Sequence, residues 1–126
     1  MSNLMGDGLL IAEKSLDALW MKEKVISGNL ANVDTPGYKS KEVEFEKIFK
    51  EALLSSSGGD TGDLSDSLRF QIVEDTSTQA REDGNNVDAV KENIELAGTQ
   101  LQYEYMIRAV SSEISRLKYA INEGNA

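Results

Sequence analysis

Apolar residues recur every third and then fourth position over long runs at both ends of this chain, a spacing that only a helix turns into one continuous stripe. The first run is Leu9, Ala12, Leu16, Leu19, Glu23, Ile26, Leu30 and Val33, with seven of eight positions apolar. The second comprises Val87, Val90, Ile94, Ala97 and Leu101, followed by Tyr103, Ile107, Val110, Ile114, Leu117 and Ile121. Its register slips between Leu101 and Ile107, so the seam is expected to change direction or partner there. Asp88 or Asn86 is the expected N-cap of the second helix and Gly124 its C-cap glycine.

The first stripe stops at "NLANVDTPGYK", residues 29–39, which holds the only proline. Pro36 disfavours helical geometry at Thr35, and Gly37 can supply the positive φ of a type II turn. A second apolar line on the same helix, Leu4, Ile11, Ala18 and Val25, is spaced by seven and lies roughly 130° round from the first. It is either the flank of one wide core-facing surface or a second contact face, as a helix inside a multi-chain assembly requires.

Between the helices the pattern changes. "KEVEFEKIFKEALL", residues 41–54, reads as a short amphipathic helix through Val43, Phe45, Ile48, Phe49, Ala52 and Leu53. Residues 55–67 are Ser, Gly, Asp or Thr except Leu64; they cannot bury enough to offset their ordering entropy and read as a flexible loop. "LRFQIVE", residues 68–74, alternates as a strand does and needs a partner from this chain or another. The expected fold is mainly α: two long terminal helices in a coiled-coil-like layer, with a short helix, a flexible acidic loop and a minor β segment between them. The segments divide as an N-terminal helix over 1–34, a turn and variable segment over 35–86 and a C-terminal helix over 87–126.

Composition narrows the function. With 126 residues, no Cys and no His, the chain has one domain's length and lacks thiol chemistry, the usual zinc ligands and histidine acid–base catalysis. Its net charge of −9 is the wrong sign for a phosphate backbone. The charge is concentrated: residues 42–88 carry 12 acidic against 4 basic side chains, while both ends are near neutral and suited to association. Acidic pairs such as Asp60 with Asp63 read as loop solvation. No Ser or Thr has a base to activate it, so no catalytic residue, cofactor, metal or small-molecule substrate is expected. The N-terminus lacks the basic start and apolar stretch of a cleavable signal peptide, leaving a cytoplasmic protein or one exported without cleavage.

"ANVDTPGY", with Ala31, Asn32, Thr35, Pro36, Gly37 and Tyr38, resembles the N-terminal signature of the rod, hook and hook-associated axial proteins of the bacterial flagellum. "DGNNVD", that is Asp83, Gly84, Asn85, Asn86, Val87 and Asp88, together with "LKYAI" at 117–121, is similar to the B-type, proximal subunits of the basal-body rod. The resemblance implies a structural subunit exported unfolded through the flagellar type III apparatus into the periplasm. Its terminal helices would pack with other rod subunits in a tubular layer beside the export gate and the membrane-embedded ring. The assembly seam would be Leu9, Leu16, Leu19, Ile26, Leu30, Ile94, Leu101, Ile107, Val110, Ile114, Leu117 and Ile121. "FEKIF", from Phe45 to Phe49, matches the pattern that early flagellar subunits present to the export gate. The rival reading is a cytoplasmic helical adaptor, a chaperone-like coiled-coil binding module. In an isolated subunit, pairing the main stripes would leave Ile11, Val25 and Met106 in water, so the helix ends are expected to fray.

Overall fold

The computed structural model describes residues 3–45 and 69–124. Four elements follow in order: helix α1 (Asn3–Ala31), strand β1 (Lys41–Phe45), strand β2 (Phe70–Glu74) and helix α2 (Ala89–Gly124). The helices pack antiparallel: Asn29 near the end of α1 hydrogen-bonds Glu92 near the start of α2, Lys22 pairs with Glu95 at 3.2 Å, and Ser15 and Leu19 share a groove with Leu101 and Met106. The strands form a two-stranded antiparallel sheet in which Val43 faces Ile72 and Phe45 faces Phe70.

Both helices lie where the spacing puts them, and residues 70–74 are a strand as their alternation predicts. Residues 41–45, expected to open a short helix, are instead the strand that pairs with them; residues 46–54 of that expected helix, and the loop over 55–67, lie outside the described residues. The stretch reads both ways because Val43 and Phe45 alternate while Phe45, Ile48 and Phe49 step by three and four. Strand wins where an unpaired β2 offers a ladder, since a short isolated helix is marginal in water.

Small and polar side chains line the inside of the helix pair. On α1 the buried residues are Ser15, Ala18, Ile26 and Asn29, a line turned about 80° from the predicted stripe at 100° per residue. Leu9, Leu16, Leu19 and Leu30 therefore sit at its margin, half-buried. On the second apolar line Ala18 is covered from within the chain, with Ile11, Phe45 and Phe70 packed on it. Ile11, Val25 and Met106, expected in water in an isolated subunit, are each partly covered. Buried Ser15 and Thr99 return their hydroxyls to Ile11 and Glu95 carbonyls one turn back, at 2.7 Å each, so they need no partner across the interface. Among the described residues only Ala18, Ile26 and Val87 are fully buried hydrophobics.

Candidate functional site

The two sequence motifs, some fifty residues apart, meet at one corner. α1 ends at Ala31, and the chain tapers through Val33 N–H to Leu30 and Thr35 N–H to Asn32. A turn closed by Tyr38 N–H to the Thr35 carbonyl at 3.2 Å follows, with Pro36 second and Gly37 third at φ +76°. Those are the positions and sign a type II turn demands. Against it lies the turn of the second motif, where Gly84 has φ +85°. A Cβ on Gly84 would stand 3.3 Å from the Gly37 Cα, so the glycines serve both backbone sign and close approach.

Asn85, fully buried, joins the helices. Its Nδ2 donates to the carbonyls of Asn32 at 2.8 Å, Val33 at 3.0 Å and Thr35 at 2.9 Å. Those oxygens follow the end of α1 and have no helical partner. Its Oδ1 accepts from Val87 N–H at 2.8 Å, one residue before the N-cap of α2. That cap is Asp88, whose carboxylate accepts from Val90 and Lys91 N–H at 3.1 and 3.2 Å. Arg81 donates to the carbonyls of both Val33 and Val87, which places a cation at the C-terminal end of α1, where the helix dipole favours one and its own last turn has none. Lys39 donates to the Gly84 carbonyl, and Gly37 N–H to that of Asp83 at 2.8 Å.

Two further asparagines stand in for backbone. Asn29, fully buried, accepts from Lys41 N–H at 2.9 Å and donates to the Lys41 carbonyl at 2.8 Å, as a neighbouring strand would. It also accepts from the Tyr38 hydroxyl at 3.2 Å. Where the ladder continues past Lys41, Asp75 N–H reaches the Ser40 carbonyl directly at 2.8 Å. The returning bond is carried by Asn86, which accepts from Ser40 N–H and donates to the Asp75 carbonyl, both at 2.6 Å. Asn86 is thus part of the sheet, and Asp88 alone caps α2. Gly124 closes α2 without the positive φ expected of a C-cap glycine.

Two carboxyls here depart from their ordinary values. Thr78 and Ser77, through hydroxyl and backbone hydrogen bonds, hold Asp75 well below the usual carboxylate range. Burial pushes Glu92 up, opposed by a hydrogen bond with Asn29 and the Lys91 charge. Among the described residues no cluster of His, Cys, Asp or Glu could hold a metal ion, and no helix is long and apolar enough to cross a membrane.

Comparison with known proteins bears on the same segments. The sequence model of the flagella basal body rod protein family matches residues 9–39, the α1 stripe and the corner turn. The chain is 33% identical to the flagellar basal body rod protein FlgB of Bacillus subtilis (strain 168), over 89% of this chain and 91% of that protein. The chain belongs to the FlgB family. It is also similar to the FlgB proteins of Aeromonas hydrophila, at 29% identity over 88% of this chain and 89% of that protein, and of Escherichia coli (strain K12), at 24% over 93% and 94%. Membership in the FlgB family does not favour the cytoplasmic adaptor reading.

Residues 31–38 and 83–88, picked out by resemblance, are thus brought together. The seam residues are not. Val90, Ile94, Leu101 and Tyr105 are between 68 and 71% exposed. With Ala97 they span an arc of about 80° on the outside of α2, opposite the inward arc of Glu92, Leu96, Thr99, Tyr103, Met106 and Val110. Ile107, Ile114 and Ile121, at 43, 42 and 61% exposure, lie on the inward side of the helix or at its margin, beside half-buried Val110 and Leu117. The register slip after Leu101 is this change of side. Phe45 packs with Phe70 on Ala18; Phe49 lies outside the described residues. Sequence reasoning missed Asn29, Ser40, Arg81 and Glu92. No pattern set them apart, since both helices carry many other polar side chains.

Proposed function

We infer that this chain is a structural, non-catalytic subunit of the proximal rod of the bacterial flagellar basal body, assembling there with other rod components after export. The carrying observation is the outward row Val90, Ile94, Ala97, Leu101 and Tyr105 on a FlgB-family helix whose inner face is already occupied. A monomer gains nothing from such a row. Burial between neighbouring subunits is worth about 1.5–3 kcal/mol per large side chain. The motif corner sets the angle between α1, the hairpin and α2, so that α1 and α2 form the axial layer and residues 35–86 the outer segment. The half-exposed α1 leucines, with Ile107, Ile114 and Ile121, complete the contact surface. Leu101 and Tyr105 of the outward row also line a groove of about 510 Å³ with Leu19, Phe45 and Met106. The export gate and the membrane ring are the neighbours this reading gives the subunit first.

The test is complementation of a strain lacking the gene. The wild-type chain is expected in purified basal bodies, and its absence from them would overturn the rod reading. Ile94→Asp with Leu101→Asp should leave the purified subunit folded by circular dichroism but absent from rods. Normal rods containing that double variant would remove the outward row from the assembly surface.

A further inference from the structure

The hydrogen-bond phase of the small sheet shows which of its edges is open. In an antiparallel ladder a residue sends its N–H and C=O to the same side, and successive residues alternate. Both groups of Lys41 bond Asn29 rather than β2, and Ser40 bonds Asp75. Lys41 and Val43 therefore point outward on β1, and Phe70, Ile72 and Glu74 point outward on β2, given the pairing of Val43 with Ile72. The two edges are not equivalent. The β1 edge begins under Asn29 and leans on α1. Along β2 the outward backbone groups of Phe70, Ile72 and Glu74 bond nothing among the described residues, and the Ile72 side chain is 49% exposed.

We propose that the outer edge of β2 docks a second copy of this chain, β2 against β2 in antiparallel register about a two-fold axis at Ile72, making one four-stranded sheet. The edge is self-complementary in that register. Ile72 meets Ile72, and Phe70 meets Glu74 on each side, which brings every outward N–H opposite an outward C=O. Gln71 meets Val73, and exposed Arg69 meets Asp75 of the other copy at both ends, opposite charges across the pair. The second sheet edge is shielded, so the pairing closes at two copies and cannot run on as a fibre. Such a dimer is distinct from a growing helical polymer, because a two-fold contact uses up the β2 edge of both copies and leaves that edge no site for a third. The proposal does not depend on the rod reading.

With no native cysteine, single-cysteine variants of the full chain report the register directly. Directly opposed residues in a hydrogen-bonded pair lie about 5.5 Å apart at Cα, within disulfide range. At concentrations where the wild type sediments as a dimer, Ile72→Cys should cross-link between copies at least about tenfold faster than Gln71→Cys, whose opposite residue is Val73. Ile72→Lys, which sets like charges opposite each other at a half-exposed position, should keep the monomer's circular dichroism and weaken dimerisation by roughly tenfold or more. Three outcomes would each overturn the proposal. The first is a wild type that stays monomeric to high micromolar concentration, and the second is equal cross-linking at 71 and 72. The third is a dimer that survives Ile72→Lys, which would put the contact on the outward face of α2.

Discussion

Asn85 shows how one side chain can determine a joint. Its amide satisfies carbonyls after α1 while its oxygen holds the backbone entering α2. Asn85→Ala leaves the Val87 N–H without its acceptor and takes one of two donors from each carbonyl, and a buried polar group left unpaired costs about 1–3 kcal/mol. The variant should therefore melt well below the wild type. Asn85→Asp keeps the shape but turns a carboxylate toward three carbonyl oxygens, which favour its protonated form. Its folded pKa then lies above the unfolded value of about 3.9, so its deficit should grow as pH rises past that value and shrink in acid. A pH series of melting curves on both variants checks this, and a flat deficit for Asn85→Asp would show that the joint tolerates the charge. Glu92 obeys the same sign. Burial raises its folded pKa above the ordinary 4.5. Ionisation therefore destabilises the fold as pH climbs from about 4.5 through the raised value, with no further change above it. Glu92→Gln mimics the protonated form and should be more stable than wild type at neutral pH, the difference vanishing below pH 4.5.

At the scale of elements, the hairpin is anchored by a cross-strand Phe pair on the small Ala18. Both rings are half-buried, so Phe45→Ala and Phe70→Ala should each lose stability toward the lower end of the roughly 3–5 kcal/mol typical of buried Phe truncation, or below it. The comparison separates two roles. Phe45 lies in the segment that resembles an export-gate motif, and Phe70 does not. If the gate reads Phe45, the secreted fraction of Phe45→Ala falls while that of Phe70→Ala holds; equal secretion leaves Phe45 a packing residue only. Neither change touches the outward row of α2, which belongs to assembly.

Across the whole molecule, stability is concentrated at the corner. The bonds of Asn29, Asn85, Asn86, Arg81 and Asp88 cluster where α1 ends and α2 begins, and the few fully buried hydrophobics lie at or near that half. Away from it the helices run on for most of about 43 and 54 Å at 1.5 Å per residue, with α2 the longer. Long helices depend on packing for stability. Amide exchange of a dilute monomer should be slow over residues 22–45 and 70–103 and fast over 3–14 and 107–124. Uniform protection to both helix ends would show that this chain needs no neighbours to complete its core.

Helix spans, the stop before Pro36, the positive φ at Gly37 and the strand at 70–74 all follow from local chemistry: side-chain period, the proline ring and the missing Cβ of glycine act within a few residues. Which face of each helix turns inward does not. On α2 the inward row is the one with Thr99, which bonds the Glu95 carbonyl of its own helix, and Glu92, which bonds Asn29 of α1. That leaves Ile94 and Leu101 outside. Residues 41–45 became a strand because β2 was there to pair, and Asn29, Asn85 and Asn86 acquired their roles because the backbone groups they serve lie as many as 53 residues away in sequence. Such choices rest on contacts distant in the chain, and only the folded structure brings those partners together.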